Sequence, residues 1–125
     1  MPVEQPLHVA YQSYTRPADT DLSTKQYYAV DLNSDGEVIV AAAGSTFIGV
    51  LGNKPTGAGQ PAEVMFSGVV PMVCGGVVAT AAAVKIDSDG KAVAATSADK
   101  AIGRALSTGA SGTLANILLQ PHTVA

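Results

Sequence analysis

The stretch YYAVDLNSDGEVIVAAAGSTFIGV, Tyr27 to Val50, has a second copy in AAAVKIDSDGKAVAATSADKAIGR, Ala81 to Arg104. At a constant offset of 54 (89 − 35), Ser34, Asp35 and Gly36 fall on Ser88, Asp89 and Gly90. Ala29-Val30 falls on Ala83-Val84, Ala41 on Ala95, and Ile48-Gly49 on Ile102-Gly103. Dropping one residue from the following loop extends the match. Ala62–Phe66 then sits on Ala115–Leu119 at an offset of 53.

The physical content of the repeat is a β-hairpin. A half-apolar run reaches Ser-Asp-Gly and a second run leaves it. Asp-Gly between two such runs signals a tight turn, because glycine takes positive φ without steric cost. Asp35, Gly36, Asp89 and Gly90 are therefore structural turn residues. Gly49 and Gly103 fall inside a strand pattern, where glycine marks a bulge or a close backbone approach. Two copies are too few for a solenoid, which needs about three. The reading is an all-β, barrel- or sandwich-like single domain of two similar halves, spanning about 27–66 and 81–119.

Strands are expected near Tyr27–Leu32, Glu37–Ala41, Phe47–Leu51, Ala62–Phe66 and Gly68–Cys74 in the first part of the chain. Ala83–Asp87, Ala92–Ala95, Ala101–Leu106 and Ala115–Leu119 follow. Residues 1–22 are of another kind, with three of the seven prolines and two of the four tyrosines. They read as an extended N-terminal arm outside the repeat, with a short strand near Leu7–Tyr11, or as a frayed terminus, with the β-domain over 23–125. Proline biases its neighbours towards extended backbone. Leu7, Val9 and Tyr11 alternate to one face, and Tyr14 adds a second aromatic anchor. These four are the candidate partner-binding residues.

Charged residues are only 14% of the 125, against about 25% in ordinary soluble domains. None occurs at 38–53, 64–84 or 105–124. A surface of Ala, Gly, Ser and Thr is suited to being covered by other chains. The net charge of −3 offers no clustered Lys and Arg for a nucleic-acid backbone. The uncharged run at 64–84 is long enough to raise a membrane helix. Gly68, Pro71, Gly75 and Gly76 interrupt it, and its end carries strand-repeat positions. No signal-peptide pattern opens the chain. Cys74, the single cysteine, excludes an internal disulfide and reads as a buried, inert thiol.

No constellation for chemistry emerges. Asp31, Asn33 and Asp35 fit the opening of a calcium loop, but the twelfth position is Ala42, where a bidentate Glu is needed. The second copy begins with Lys85 and has Thr96 at that position. An Asx-type hairpin turn is the better reading. Gly52–Gly59 lacks the Gly-Lys-Ser/Thr ending of a phosphate loop. His8 and His122 belong to no ligand spacing. No catalytic residue, metal site or cofactor is expected, and the chain reads as a structural or binding protein rather than an enzyme.

The segments DLSTKQYYAVDLNSDGEVIVAAAGSTFIGVLGNKPTGAGQPAEVMFSGV (Asp21 to Val69) and DSDGKAVAATSADKAIGRAL (Asp87 to Leu106) resemble the small capsid decoration, or cement, proteins of tailed bacteriophages. The features carrying the resemblance are Ile48-Gly49-Val50-Leu51, Asn53-Lys54-Pro55, Gly59-Gln60 and Ile102-Gly103-Arg104-Ala105. It covers about Leu22 to Leu119, and its motifs are packing and turn residues. Many relatives carry a Gly-Asp turn before the second hairpin, where this chain has Ala81-Ala82. The resemblance implies a β-barrel-like protein on the outer surface of an icosahedral head. Its partners would be the major capsid protein and itself, commonly as a homotrimer that stiffens the shell, with no nucleic acid and no membrane. The alternative from another class is a virion-surface module binding carbohydrate or host. Such modules usually expose an aromatic platform, and this chain has no Trp.

Overall fold

The computed structural model describes residues 10–42 and 47–125. Among the described residues nine strands follow one another: β1 (Ala10–Pro17), β2 (Ala29–Leu32), β3 (Val38–Val40), β4 (Gly49–Leu51), β5 (Pro61–Val73), β6 (Ala83–Ile86), β7 (Ala92–Ala94), β8 (Lys100–Ala105) and β9 (Leu114–Thr123). No helix occurs among the described residues. The strands form one curled antiparallel sheet in the order β3-β2-β4-β5-β9-β8-β6-β7, with β1 added to β5.

The register reproduces the sequence repeat pair by pair. Val30↔Val40, Asp31↔Ile39 and Leu32↔Val38 become Val84↔Ala94, Lys85↔Val93 and Ile86↔Ala92, all at 54. Ala29↔Val50 and Val30↔Gly49 become Ala83↔Arg104 and Val84↔Gly103. Val50↔Met65 and Leu51↔Val64 become Arg104↔Leu118 and Ala105↔Ile117, with the second partner displaced by 53.

The repeat also reaches further than 27–66. Ser13↔Met65 through Pro17↔Pro61 become Val69↔Leu118 through Val73↔Leu114, so 13–17 corresponds to 69–73 at an offset of 56. The isolated parallel bridge Ala18↔Val38 likewise becomes the parallel bridge Cys74↔Ala92. Residues 13–65 therefore form unit 1 and residues 69–118 unit 2. In each, the first strand runs into an isolated bridge with the third, which curls the five strands into a small, partly closed barrel. The arm expected at 1–22 needs correcting here, because β1, Ala18 and Leu22 are integral to unit 1. Sequence comparison misses this because β1 is exposed and polar where its counterpart in β5 is buried: Tyr14 and Arg16 match Val70 and Met72.

Seven buried side chains fill the interior of unit 1: Ala18, Leu22, Val30, Val38, Leu51, Ala62 and Val64. Their counterparts Cys74, Val78, Val84, Ala92, Ala105, Ala115 and Ile117 are all buried in the larger cluster. That cluster also holds Ala29, Ala41, Val50 and Met65, the face of unit 1 turned towards unit 2.

The expected strands at Ala62–Phe66 and Gly68–Cys74 are one strand, β5. Gly68 sits at its joint with φ +101, close against the Ala10 carbonyl, and the register with β1 shifts beside it. Only glycine fits such a close approach at positive φ. The turn at Ala81 keeps the geometry of unit 1: φ is +74 there and +70 at Tyr27. Both donate to equivalent carbonyls, Leu51 O and Ala105 O, at 2.7 and 2.8 Å.

Gly49 and Gly103 lie under equivalent backbone. A Cβ at Gly49 would run into the Met65 carbonyl, and one at Gly103 into the Leu118 carbonyl. Gly49→Val and Gly103→Val are expected to lower the Tm by roughly 5–15 °C each, since overpacking against rigid backbone costs a few kcal/mol. An unchanged Tm for both would refute the steric explanation. Truncation separates the two parts of the N-terminal segment. Removing residues 1–22 takes away β1 and two core side chains and should abolish cooperative melting. Removing 1–9 leaves every described strand and should preserve the melting transition in circular dichroism.

Candidate partner-binding surfaces

Among the described residues, β1 pairs along its length only with β5, which leaves its other edge open. Unpaired N–H and C=O groups on such an edge can accept another strand. Every residue of β1 before Pro17 is exposed. Tyr14 and Phe66 meet across the β1–β5 pair with ring centroids 5.3 Å apart and planes tilted by 59°. They remain 37% and 43% exposed, so the packed rings offer apolar area to a partner. Tyr11 lies on the same strand at 39% exposure. Nearby, Ser13 Oγ donates to Glu63 Oε2 at 3.0 Å. Burial, followed by the Glu63 carboxylate, pushes the Tyr11 phenol above the ordinary tyrosine pKa. Tyr11 is thus a neutral hydroxyl and a potential hydrogen-bond donor at physiological pH.

A second surface lies at the far end of unit 2. Two of the charge-free stretches meet there through β5–β9 pairing, the Val78↔Gly109 bridge and a Thr80–Thr108 hydroxyl contact of 2.9 Å. Val77 is 72% exposed and Leu106 49%. A shallow groove of about 350 Å³ runs beside Leu106, lined also by Thr80, Ala81, Arg104, Leu118 and Gln120.

The structure places the remaining sequence candidates apart from one another. Leu7, Val9 and His8 lie outside the described residues. The two Ser-Asp-Gly turns are Asx-bonded. Asn33 Oδ1 accepts from the N–H groups of Asp35 and Glu37, both at 2.9 Å. Asp87 Oδ1 does the same for Asp89 and Lys91, at 2.8 and 2.9 Å. Gly36 and Gly90 complete these turns at φ +77 and +83. Cys74 is fully buried inside unit 2, and burial raises its thiol pKa. His122 Nδ1 lies 2.7 Å from the carbonyl of Gln120. Phe66 is the member of the aromatic surface that sequence reasoning missed. It aligns with Leu119 in the repeat and reads there as the end of a buried strand, whereas the shift in register at the β5 joint leaves it exposed.

Comparison with known proteins gives a match to the family model described as phage cement protein, over residues 12–120. The matched segment includes β1 from Gln12 onward as well as both barrels. No curated protein sequence matches the chain. Among solved structures, it is similar to the head fiber gp8.5 N base of bacteriophage phi29. The TM-score is 0.72 at 15% identity, covering 93% of this chain and 99% of the other. That likeness is one of fold.

The raised pKa of Tyr11 has a consequence at high pH. Folding holds the phenol in its neutral form, so this contribution is present below about pH 10, the ordinary tyrosine value, and is lost as pH rises through the folded pKa. Tyr11→Phe should therefore show a shallower loss of stability than the parent protein above that pH in denaturant titrations. Identical slopes would remove Tyr11 from the account.

Proposed function

The chain belongs to the phage cement protein family, and from that premise we propose that its β1 face attaches it to the outer surface of the phage head. It is a structural protein of the virion, a capsid decoration protein, located on the capsid. The partner in our reading is the major capsid protein. The surface is the open edge of β1 with the Tyr14–Phe66 pair, and with Tyr11 three residues along the strand. The single observation supporting this choice is the exposed Tyr14–Phe66 pair beside an unpaired strand edge. Tyrosine at an interface supplies large contact area with few rotors, and such anchors carry most of the binding energy. Strand addition supplies backbone hydrogen bonds that do not depend on side-chain identity.

In the same reading the protein stiffens the shell by bridging neighbouring capsid subunits, and copies associate as homotrimers. Exposed Val77 and Leu106, on a surface with few charges, support self-association. A binding role without catalysis fits the scattered titratable groups.

Purified protein should add stoichiometrically to undecorated mature capsids and raise their resistance to heat. Tyr14→Ser combined with Phe66→Ser should weaken that binding by about tenfold or more, while the Tm stays within a few degrees. If the double variant decorates capsids with full occupancy and comparable affinity, attachment lies elsewhere on the protein. Sedimentation of the free protein tests the trimer separately.

A further inference from the structure

Among the described residues, two backbone hydrogen bonds join the β2 side of unit 1 to unit 2. Ala29 N–H donates to Gly90 O at 2.8 Å, and Val73 N–H donates to Tyr27 O at 3.1 Å. The junction is not reciprocal. It sets the hairpin tip and first strand of unit 2 against the β2 side of unit 1. Two units placed head to tail leave one unmatched tip, on unit 1, and one unmatched face, on unit 2. The repeat identifies them: Gly36 is the counterpart of Gly90 (90 − 54), and Ala81 is the counterpart of Tyr27 (81 − 54).

At both unmatched ends an arginine satisfies the carbonyl. At the tip it stands in for a neighbour's Ala83 N–H, and at the face it supplies a bond that a neighbour could not, because the counterpart of Val73 is Pro17 (73 − 56), which has no N–H. Arg16 Nε and Nη2 donate to Gly36 O at 3.1 and 3.0 Å. Arg104 Nε and Nη2 donate to Ala81 O at 3.3 and 3.1 Å. These are the carbonyls whose counterparts are bonded across the internal junction. The two arginines also occupy telling positions in the repeat. Arg16 matches Met72 and Arg104 matches Val50, and both of those are fully buried. Beside Arg104 the unmatched face carries Leu118, where Met65 stands in unit 1, and Leu106, with Thr80 and Gln120 also lining the groove.

We propose that the Gly36 tip and the Ala81 face are the two complementary halves of a docking interface for a second copy of this chain, and that Arg16 and Arg104 cap them against end-to-end addition. A head-to-tail contact that does not close on itself propagates into open chains. Repeat proteins avoid this with polar terminal caps. A guanidinium suits the task because its fork of donors satisfies a carbonyl while its charge makes burial under another copy unfavourable.

The test needs no capsids and does not depend on how the protein attaches to them. Arg16→Met opens only the tip, and Arg104→Val opens only the face. Each variant alone should keep the sedimentation behaviour and Tm of the parent protein. Tagged Arg16→Met should retain untagged Arg104→Val at least tenfold more than it retains the parent chain or untagged Arg16→Met. The double variant should form concentration-dependent chains larger than the parent species. Retention of Arg104→Val no greater than that of the parent chain would overturn the proposal. So would equal self-association of either folded single variant, which would mark ordinary stickiness.

Discussion

One strand serves two barrels. β5 closes unit 1 with its first residues and opens unit 2 with its last, and the pairing partners change along it. Val64 lies between Tyr14 and Leu51, and Val69 lies between Ala10 and Leu118. The strand must therefore turn from one barrel wall into the next without breaking its hydrogen-bond ladder. Gly68 permits this, since positive φ and contact with the Ala10 carbonyl exclude any side chain there. The exposed Phe66 is the local result of the same bend. With the two units sharing a strand, neither can move as an independent domain. The unbroken course of β5 from the wall of unit 1 into that of unit 2 is what unites them.

Within that frame, the repeat shows where selection by packing acts. Interior positions keep their apolar character in both units while their sizes trade: Leu51 with Ala105, Val64 with Ile117, Val38 with Ala92. Outward positions change chemistry according to what covers them. Val50 on the face towards unit 2 and Met72 beside Ala115 are buried, whereas their counterparts Arg104 and Arg16 are exposed. Backbone requirements are stricter than either. Glycine stands at 49 and 103, both beneath a carbonyl, and positive φ recurs at Tyr27 and Ala81 despite the strain of roughly 1 kcal/mol expected for a non-glycine residue. Geometry is thus copied more faithfully than composition.

This explains what could be read from the chain alone. The Ser-Asp-Gly hairpins and the Ile-Gly pairs are fixed by turn and close-approach constraints, so their residues survive in both copies and reveal the offset of 54. The weak match at 53 was also legible, because Val64 and Ile117 fill the same interior position. The correspondence at 56 was not. Along it Tyr14 faces Val70, Arg16 faces Met72 and Ala18 faces Cys74, with no shared identity to follow. In sequence alone β1 therefore reads as an arm, although Ala18 and Leu22 mark where it enters the core. Phe66 was hidden for a related reason, since only the bend in β5 turns it outward.

The scarcity of charge acquires a meaning from these placements. Several of the charged side chains serve the backbone. Asp87 organises a turn, Arg16 and Arg104 satisfy carbonyls at the ends of the repeat, and Lys85 meets Asp99 at 3.1 Å beside the loop Thr96–Asp99. Few charges are left to hydrate broad faces. For a protein free in solution such a surface favours association. For one held on a shell the same surface is suited to flat contact, provided that copies do not first consume one another end to end. A duplicated fold carries that hazard by construction, because the interface that joins its halves exists again, unmatched, at its two extremities. In the proposed reading, arginine at those extremities, rather than a further apolar layer, stops end-to-end growth along the repeat axis while the β1 edge stays open.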